Sequence, residues 1–279
     1  MAAESAGPAN QAVQIQGQGV VVTGAGRGIG RAIAGRMAAQ GAEVVVNDLD
    51  SEAVDRVAEE IGGYAVPGDA ATEDGVTALL AAARERLGTV DVYFANAGVD
   101  VGRGLDSPEQ DWARAFEVNV MAHVRAAREL VPAWLTSGGG RFVVTASAAG
   151  LLTMLGGAPY SVTKHAAVAF AEWLSATYGH RGVTVQVICP QGVRTRMLDG
   201  AGPLQEILSH DTALEPEQVA DTVWHALQDD RFLILPHPEV ADYYALRASD
   251  TERWLAGMRK LQRRLDAAQA PPDSADENQ

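Results

Sequence analysis

The amino-acid sequence predicts an α/β fold, a doubly wound parallel sheet of about seven strands with helices on both faces. Three observations carry that prediction. Short β-branched runs recur along the 279 residues, stretches with helical spacing separate them, and the first run leads directly into a glycine-rich turn. The runs are apolar throughout rather than alternating, as in strands covered on both faces, the situation typical of parallel sheets.

The expected strands are Val20-Val21-Val22, Val44-Val45-Val46, a weaker one within Tyr64 to Gly68, Val90 to Phe94, Phe142-Val143-Val144, Val183 to Ile188 and Phe232 to Leu235. Between them, Val76, Leu79, Leu80, Ala83 and Leu87 fall on one face of a helix. Residues 1–18 read as a flexible arm. Residues 19–235, free of repeats and linker composition, read as one dinucleotide-sized domain whose ligand sits at the carboxyl ends of the strands. Within it, residues of about 195–213 are expected to form a lid. Pro236-His237-Pro238 is a stop, after which residues 236–269 read as a helical extension and 270–279 as a disordered tail.

Bulk properties narrow the function. The formal net charge of −14 disfavours nucleic acid and anionic membrane surfaces as partners. Cys189 is the single cysteine, which excludes an internal disulfide and a thiolate metal cage and fits a reducing, cytoplasmic compartment. The opening residues lack the basic start and apolar run of a signal peptide. No stretch reaches the roughly 18 to 20 apolar residues of a membrane span. The six histidines have no paired metal-ligand spacing, so no metal is expected, and the cluster Arg259-Lys260-Arg263-Arg264 reads as a solvated or subunit-facing helix surface.

After the first strand comes Thr23-Gly24-Ala25-Gly26-Arg27-Gly28-Ile29-Gly30, at the head of a helix. Strand, glycine turn and helix start together make an anion cradle: glycines let the backbone approach a pyrophosphate, and the unpaired N–H groups of the helix start hold it. Asp48, with Leu49 beside it, ends the second strand at about the 20-residue spacing where a carboxylate meets an adenosine ribose. There it would accept from both ribose hydroxyls and repel a 2′-phosphate, which favours NAD. Two alternatives stay open: Asp48 starts a turn ahead of a cap at Asp50 and Ser51, or Arg27 reaches toward a 2′-phosphate and the phosphorylated cofactor is used.

From Gly19 to Leu235 the chain resembles the short-chain dehydrogenase/reductase family, whose Rossmann-type fold matches the strand and helix order. The resemblance rests on the Thr-Gly-x-x-x-Gly-x-Gly turn, Asp69 after the third strand, Asn96-Ala97-Gly98 after the fourth, Asn119, Ser147 and Tyr160-x-x-x-Lys164, in that order. It implies an NAD-dependent short-chain alcohol dehydrogenase or ketone reductase acting on a CH–OH group. Asp69 and Ala70 would contact the adenine, and Asn96, Ala97 and Gly98 would let the chain pass close to its ribose. Tyr160 would take or give the alcohol proton, Ser147 would hold the substrate oxygen, and Lys164 would bond the nicotinamide ribose. Asn119 would anchor a water linking Lys164 to solvent. Asp69 also fits a turn, and Thr145 is a rival hydroxyl to Ser147. Pro190, Val193 and Thr195 resemble the segment lining the nicotinamide, but Gln191 stands where the family has glycine.

On a helix Tyr160 and Lys164 are one turn apart. A phenol titrates near 10, so as a base near neutral pH it is expected to be shifted down by Lys164 and by oxidised nicotinamide. The pocket walls are expected at residues 99–105, at 148–158 and beyond Thr195. Leu151, Leu152, Met154 and Leu155 favour an uncharged, fairly apolar secondary alcohol or ketone, with Arg103, Arg194 or Arg196 available for a carboxylate. Apolar residues on the helices around Trp112 to Trp134 and Tyr160 to Tyr178 suggest an interface, and the resemblance implies a homotetramer, with a dimer as the alternative. A non-catalytic NAD-binding regulator and an epimerase or dehydratase with bound NAD are the remaining functional classes.

Overall fold

A computed structural model describes residues 15–199 and 213–269 of the chain. The expectations for residues 1–14, for the lid between 200 and 212 and for the tail at 270–279 lie outside the described residues. The strands are β1 (Gly19–Thr23), β2 (Glu43–Asn47), β3 (Tyr64–Ala65), β4 (Val92–Ala95), β5 (Gly140–Thr145), β6 (Val183–Ile188) and β7 (Leu233–Ile234). They form one sheet in the order β3-β2-β1-β4-β5-β6-β7, with every neighbouring pair parallel.

The apolar runs explain the layering. Successive side chains of a strand point to opposite faces, and here both faces are covered. Val21, Val45, Tyr93, Phe142 and Val144 enter one core with α3 (Glu73–Leu87), α5 (Ala122–Ser137) and α6 (Ala158–Tyr178). Val20, Val22, Val44, Val46, Phe94 and Val143 enter the other, with α1 (Gly28–Ala39), α2 (Ser51–Ile61) and α8 (Pro216–Leu227). A short helix, α7 (Arg196–Asp199), lies between β6 and α8. The stripe foreseen on α3 is buried at Val76, Leu79, Leu80 and Ala83.

The strand order reverses between β1 and β4, which opens a crevice beyond their carboxyl ends. Asn96 closes its floor. Its side-chain amide donates to the carbonyls of Thr23 (2.9 Å) and Gly24 (3.2 Å), and its own N–H donates to the Thr23 hydroxyl (3.0 Å).

Asn119 sits in a π-turn, Glu117–Met121, within continuous helical backbone between α4 (Glu109–Phe116) and α5. In this wider turn Asn119 bonds the backbone of Val99: Oδ1 accepts from the Val99 N–H and Nδ2 donates to the Val99 carbonyl, both at 2.9 Å. The helical extension is two helices rather than one, α9 (Glu239–Ser249) and α10 (Thr251–Gln269). Asp250 leaves helical geometry at the joint and its carboxylate accepts from the Arg253 N–H (3.0 Å), capping the second helix.

Candidate active site

The nucleotide end is built by the turn from β1 into α1. Gly24 has φ +61°, and a Cβ there would lie 2.8 Å from Cα of Ala97, so the turn and the Asn96-Ala97-Gly98 segment touch through backbone. Arg27 caps α1 without giving it a side-chain hydrogen bond, and no acidic residue occupies the helix's first turn. The helix start therefore presents N–H groups and their partial positive charge to the crevice, as a pyrophosphate site requires. Ile29 packs against the core below.

Asp48 closes the adjacent side. Its carboxylate accepts from the N–H groups of Gly26 (3.1 Å) and Asp50 (3.3 Å), and the Arg27 guanidinium stands 4.0 Å away. Asp50, not Asp48, caps α2, accepting from the Ala53 N–H (3.1 Å). Leu49 is exposed beside them. Asp69 makes a turn through the Ala71 N–H (3.0 Å), with the Arg114 guanidinium 3.9 Å from its other oxygen, and Ala70 is buried.

The reacting end gathers Asn119, Ser147, Tyr160 and Lys164. Tyr160 is in the first turn of α6 and 8 % exposed; Lys164, one turn on, is 3 % exposed. Lys164 Nζ donates to the Thr145 carbonyl (2.9 Å) and lies 5.6 Å from the centre of the Tyr160 ring. A Cβ on Gly98 would lie 3.3 Å from both Asn119 Oδ1 and Lys164 Nζ, so the absence of a side chain there opens the space between them. Ser147 follows β5 and caps the short 3₁₀ turn Ala148–Gly150, its hydroxyl accepting from the Ala149 N–H (3.1 Å).

In the chain alone, without the oxidised nicotinamide that the expected lowering also requires, the Tyr160 phenol is pushed up to about 12, because burial penalises the phenolate more than its hydrogen bond with Ser147 helps it; the charge of Asp100 adds to the rise. The Lys164 ammonium is instead pushed down to about 8, again by burial, with Asp100 and Cys189 opposing. The neighbouring His123 imidazole is also buried and is pushed down to about 3, chiefly by desolvation.

The segment after β6 completes the site. Ala148 N–H donates to the Pro190 carbonyl at 2.8 Å and the Ser147 hydroxyl reaches the same oxygen at 3.4 Å. The Gln191 N–H donates to Nδ1 of His237 (3.1 Å). Val193 is buried and bridges to Leu214 in a parallel pair. Thr195 donates to the Val193 carbonyl (3.2 Å), and its methyl would be 3.1 Å from a Cβ on Gly28. The glycine turn and the 190–195 segment therefore lie side by side at Gly28 and Thr195. Arg194 pairs with Glu215 (2.9 Å) rather than turning inward.

Four contributors were not foreseen. Thr163 accepts from Asn119 Nδ2 (3.0 Å), and Thr23 receives the N–H groups of Asn96 and Ala97. Asp100, at 3.2 Å from Arg103, carries a half-buried carboxyl raised by desolvation. His237 comes from beyond the sheet. Thr23, Thr163 and Asp100 had a signal in the sequence, as polar residues inside runs already marked by the motifs; His237 depends on chain crossing.

The comparisons with known proteins agree with this geometry. A family model described as short chain dehydrogenase matches residues 18–205, and the chain belongs to that family. A 1-deoxy-11-beta-hydroxypentalenate dehydrogenase of Streptomyces exfoliatus is 37% identical over 236 residues, covering 81% of this chain and 86% of the relative. A meso-2,3-butanediol dehydrogenase of Serratia marcescens is 35% identical over 224 residues, covering 77% of this chain and 89% of the relative. The solved structure of a short chain dehydrogenase/reductase from Burkholderia phymatum in complex with NAD superposes with a TM-score of 0.79 at 32% identity, covering 86% of this chain and 96% of that one. Among the described residues no helix is long and apolar enough to cross a membrane.

Proposed function

We propose that the protein is an NAD(H)-dependent oxidoreductase that interconverts a secondary alcohol and its ketone, with residues 19–235 as the catalytic unit. The observation that carries this reading is the convergence of Ser147, Tyr160 and Lys164 at the carboxyl ends of β5 and β4, across the crevice from an uncapped helix start. NAD supplies the hydride acceptor when bound, and the chain binds and orients it. Gly24, Gly28, Ile29 and Gly30 hold the pyrophosphate; Asp48 and Leu49 meet the adenosine ribose; Asp69, Ala70 and Asn96 to Gly98 flank the adenosine; Pro190, Val193 and Thr195 line the nicotinamide.

Tyr160 exchanges the substrate's hydroxyl proton, Ser147 holds the substrate oxygen, and Asn119 and Lys164 connect the phenol to solvent. Burial raises the phenol, so the positive charge of oxidised cofactor and the Lys164 ammonium have to bring it down before it can act as a base. Leu151 and Leu152 are buried in the core, and the half-buried Met154 and Leu155 of the same segment support a fairly hydrophobic substrate. The similarity to a 1-deoxy-11-beta-hydroxypentalenate dehydrogenase and to a meso-2,3-butanediol dehydrogenase supports an alcohol substrate. Initial rates at 340 nm with a panel of secondary alcohols and ketones, each with NAD(H) and NADP(H), test the reading. Reduction or oxidation with NAD(H) supports it, and no turnover of any member contradicts it.

A second reading, use of the phosphorylated cofactor, is favoured by one observation: the Arg27 guanidinium is half exposed at the same ribose position, 4.0 Å from Asp48. The same panel separates the two. We also propose a homotetramer, with a dimer as the alternative, because Trp173 (55 % exposed), Val162 and Phe116 lie uncovered on α6 and α4. Light scattering at the monomer mass of 29.3 kDa would contradict both.

A further inference from the structure

One peptide unit beside the reacting end is held from both sides. The Pro190 carbonyl accepts from the Ala148 N–H (2.8 Å) and the Ser147 hydroxyl (3.4 Å). The N–H of the same peptide, that of Gln191, donates to Nδ1 of His237 (3.1 Å). A peptide group is planar, so its carbonyl and N–H turn together. Whatever orients the N–H therefore orients the acceptor used by Ser147.

His237 is well placed to do so. It is 3 % exposed and sits between two prolines just past β7, and its carbonyl accepts from the Val240 N–H (3.1 Å) at the start of α9. The strand before it is also tied to this segment, because the Cys189 N–H donates to the Ile234 carbonyl (2.9 Å). A backbone N–H can only donate, so Nδ1 is the bare nitrogen of a neutral ring whose proton is on Nε2. The residue at the glycine position of the family pattern, Gln191, thus takes its backbone orientation from a side chain at the edge of the C-terminal extension.

We propose that His237 is a positioning residue for the reaction: through the Pro190–Gln191 peptide it sets the orientation of the Ser147 hydroxyl and the entry of the Val193 to Thr195 segment. The proposal rests on the assignment of Ser147 and residues 190–195 to the reacting end. If the peptide turned over, Ser147 and Ala148 would lose their common acceptor in the same movement. The Ser147 hydroxyl has one hydrogen, which it gives to this carbonyl at rest and to the substrate oxygen in the reaction, so a displaced peptide would change where the hydroxyl is held before substrate binds.

The test compares His237→Leu with His237→Asn in the full chain. Leucine fills a similar volume without an acceptor, whereas the asparagine side-chain oxygen can replace Nδ1. Steady-state rates with an alcohol taken from the panel, NADH fluorescence titration and melting curves are measured for each. The leucine variant is expected to lose about tenfold in kcat with less than about threefold change in alcohol KM, while the asparagine variant stays within about threefold of the parent. An unchanged kcat in the leucine variant, or equal losses in both variants, would overturn the proposal, since packing alone would then account for His237. Nitrogen NMR of the unsubstituted protein gives a reading independent of variant folding. A neutral His237 protonated at Nε2 is expected, and a proton on Nδ1 overturns the hydrogen bond itself. If the parent protein turns over no alcohol, the functional reading fails separately, and the NMR measurement still judges the His237 contact.

Discussion

Asn119 and Thr163 join the π-turn to the helix that carries Tyr160 and Lys164. Asn119 Nδ2 donates to Thr163 Oγ1 at 3.0 Å, and the same hydroxyl lies 2.8 Å from the Pro159 carbonyl and 3.1 Å from that of Tyr160. Because Asn119 also holds both polar groups of Val99, the wall after β4 and the first turn of α6 share one hydrogen-bonded brace. Thr163 is fully buried, so a methyl in place of its hydroxyl leaves the Asn119 amide with one fewer acceptor.

Thr163→Val is therefore expected to lower unfolding free energy by about 1 to 3 kcal/mol, the cost of an unmet buried polar group. Urea unfolding at neutral pH measures it. A change below about 0.5 kcal/mol would show that the brace carries no stability.

Lys164 makes stability depend on alkaline pH. Its folded value, about 8, lies below the ordinary lysine value of 10.5, so between these limits the unfolded chain binds more protons and stability rises with pH. Above about 10 the buried Tyr160 phenol opposes this, because its proton is held more tightly in the folded chain. In urea melts, the gain between about pH 8 and pH 10 is expected to be of the order of 2 to 3 kcal/mol and to disappear in Lys164→Met. Identical pH slopes for the two proteins would contradict the burial of an ionisable amine at this position.

Asp48 is the assigned discriminator between cofactors. Removing its carboxylate in Asp48→Ser is expected to reduce the ratio of kcat/KM for NAD to that for NADP by about tenfold or more, with Arg27 left to meet a 2′-phosphate. Rates with saturating alcohol and varied dinucleotide measure the ratio. A ratio unchanged within about twofold would remove Asp48 from cofactor choice.

Much of the sheet was legible because parallel strands are buried on both faces and so appear as unbroken β-branched runs. Val20 to Val22 and Val44 to Val46 pair in the expected order. The Tyr64 to Gly68 strand, with fewer such residues, shortens to two. The glycine turn and the Tyr160–Lys164 spacing were legible because each depends on neighbours in sequence. The brace at Thr163, the Pro190–Gln191 peptide and the desolvation of the phenol were not, because each arises where segments distant in the chain exclude water from one another. The break at Asp250 had a local signal, an acidic residue followed by threonine, that helical periodicity on both sides obscured.

The proton chemistry assigned to Tyr160 is tested most directly by Tyr160→Phe. With an alcohol oxidised by the parent protein, the substitution is expected to lower kcat by about 100-fold to 10,000-fold, the range for a positioned acid or base, while the NADH dissociation constant changes by less than about threefold. Ordinary turnover in the phenylalanine variant, with NADH bound as before, would contradict the account.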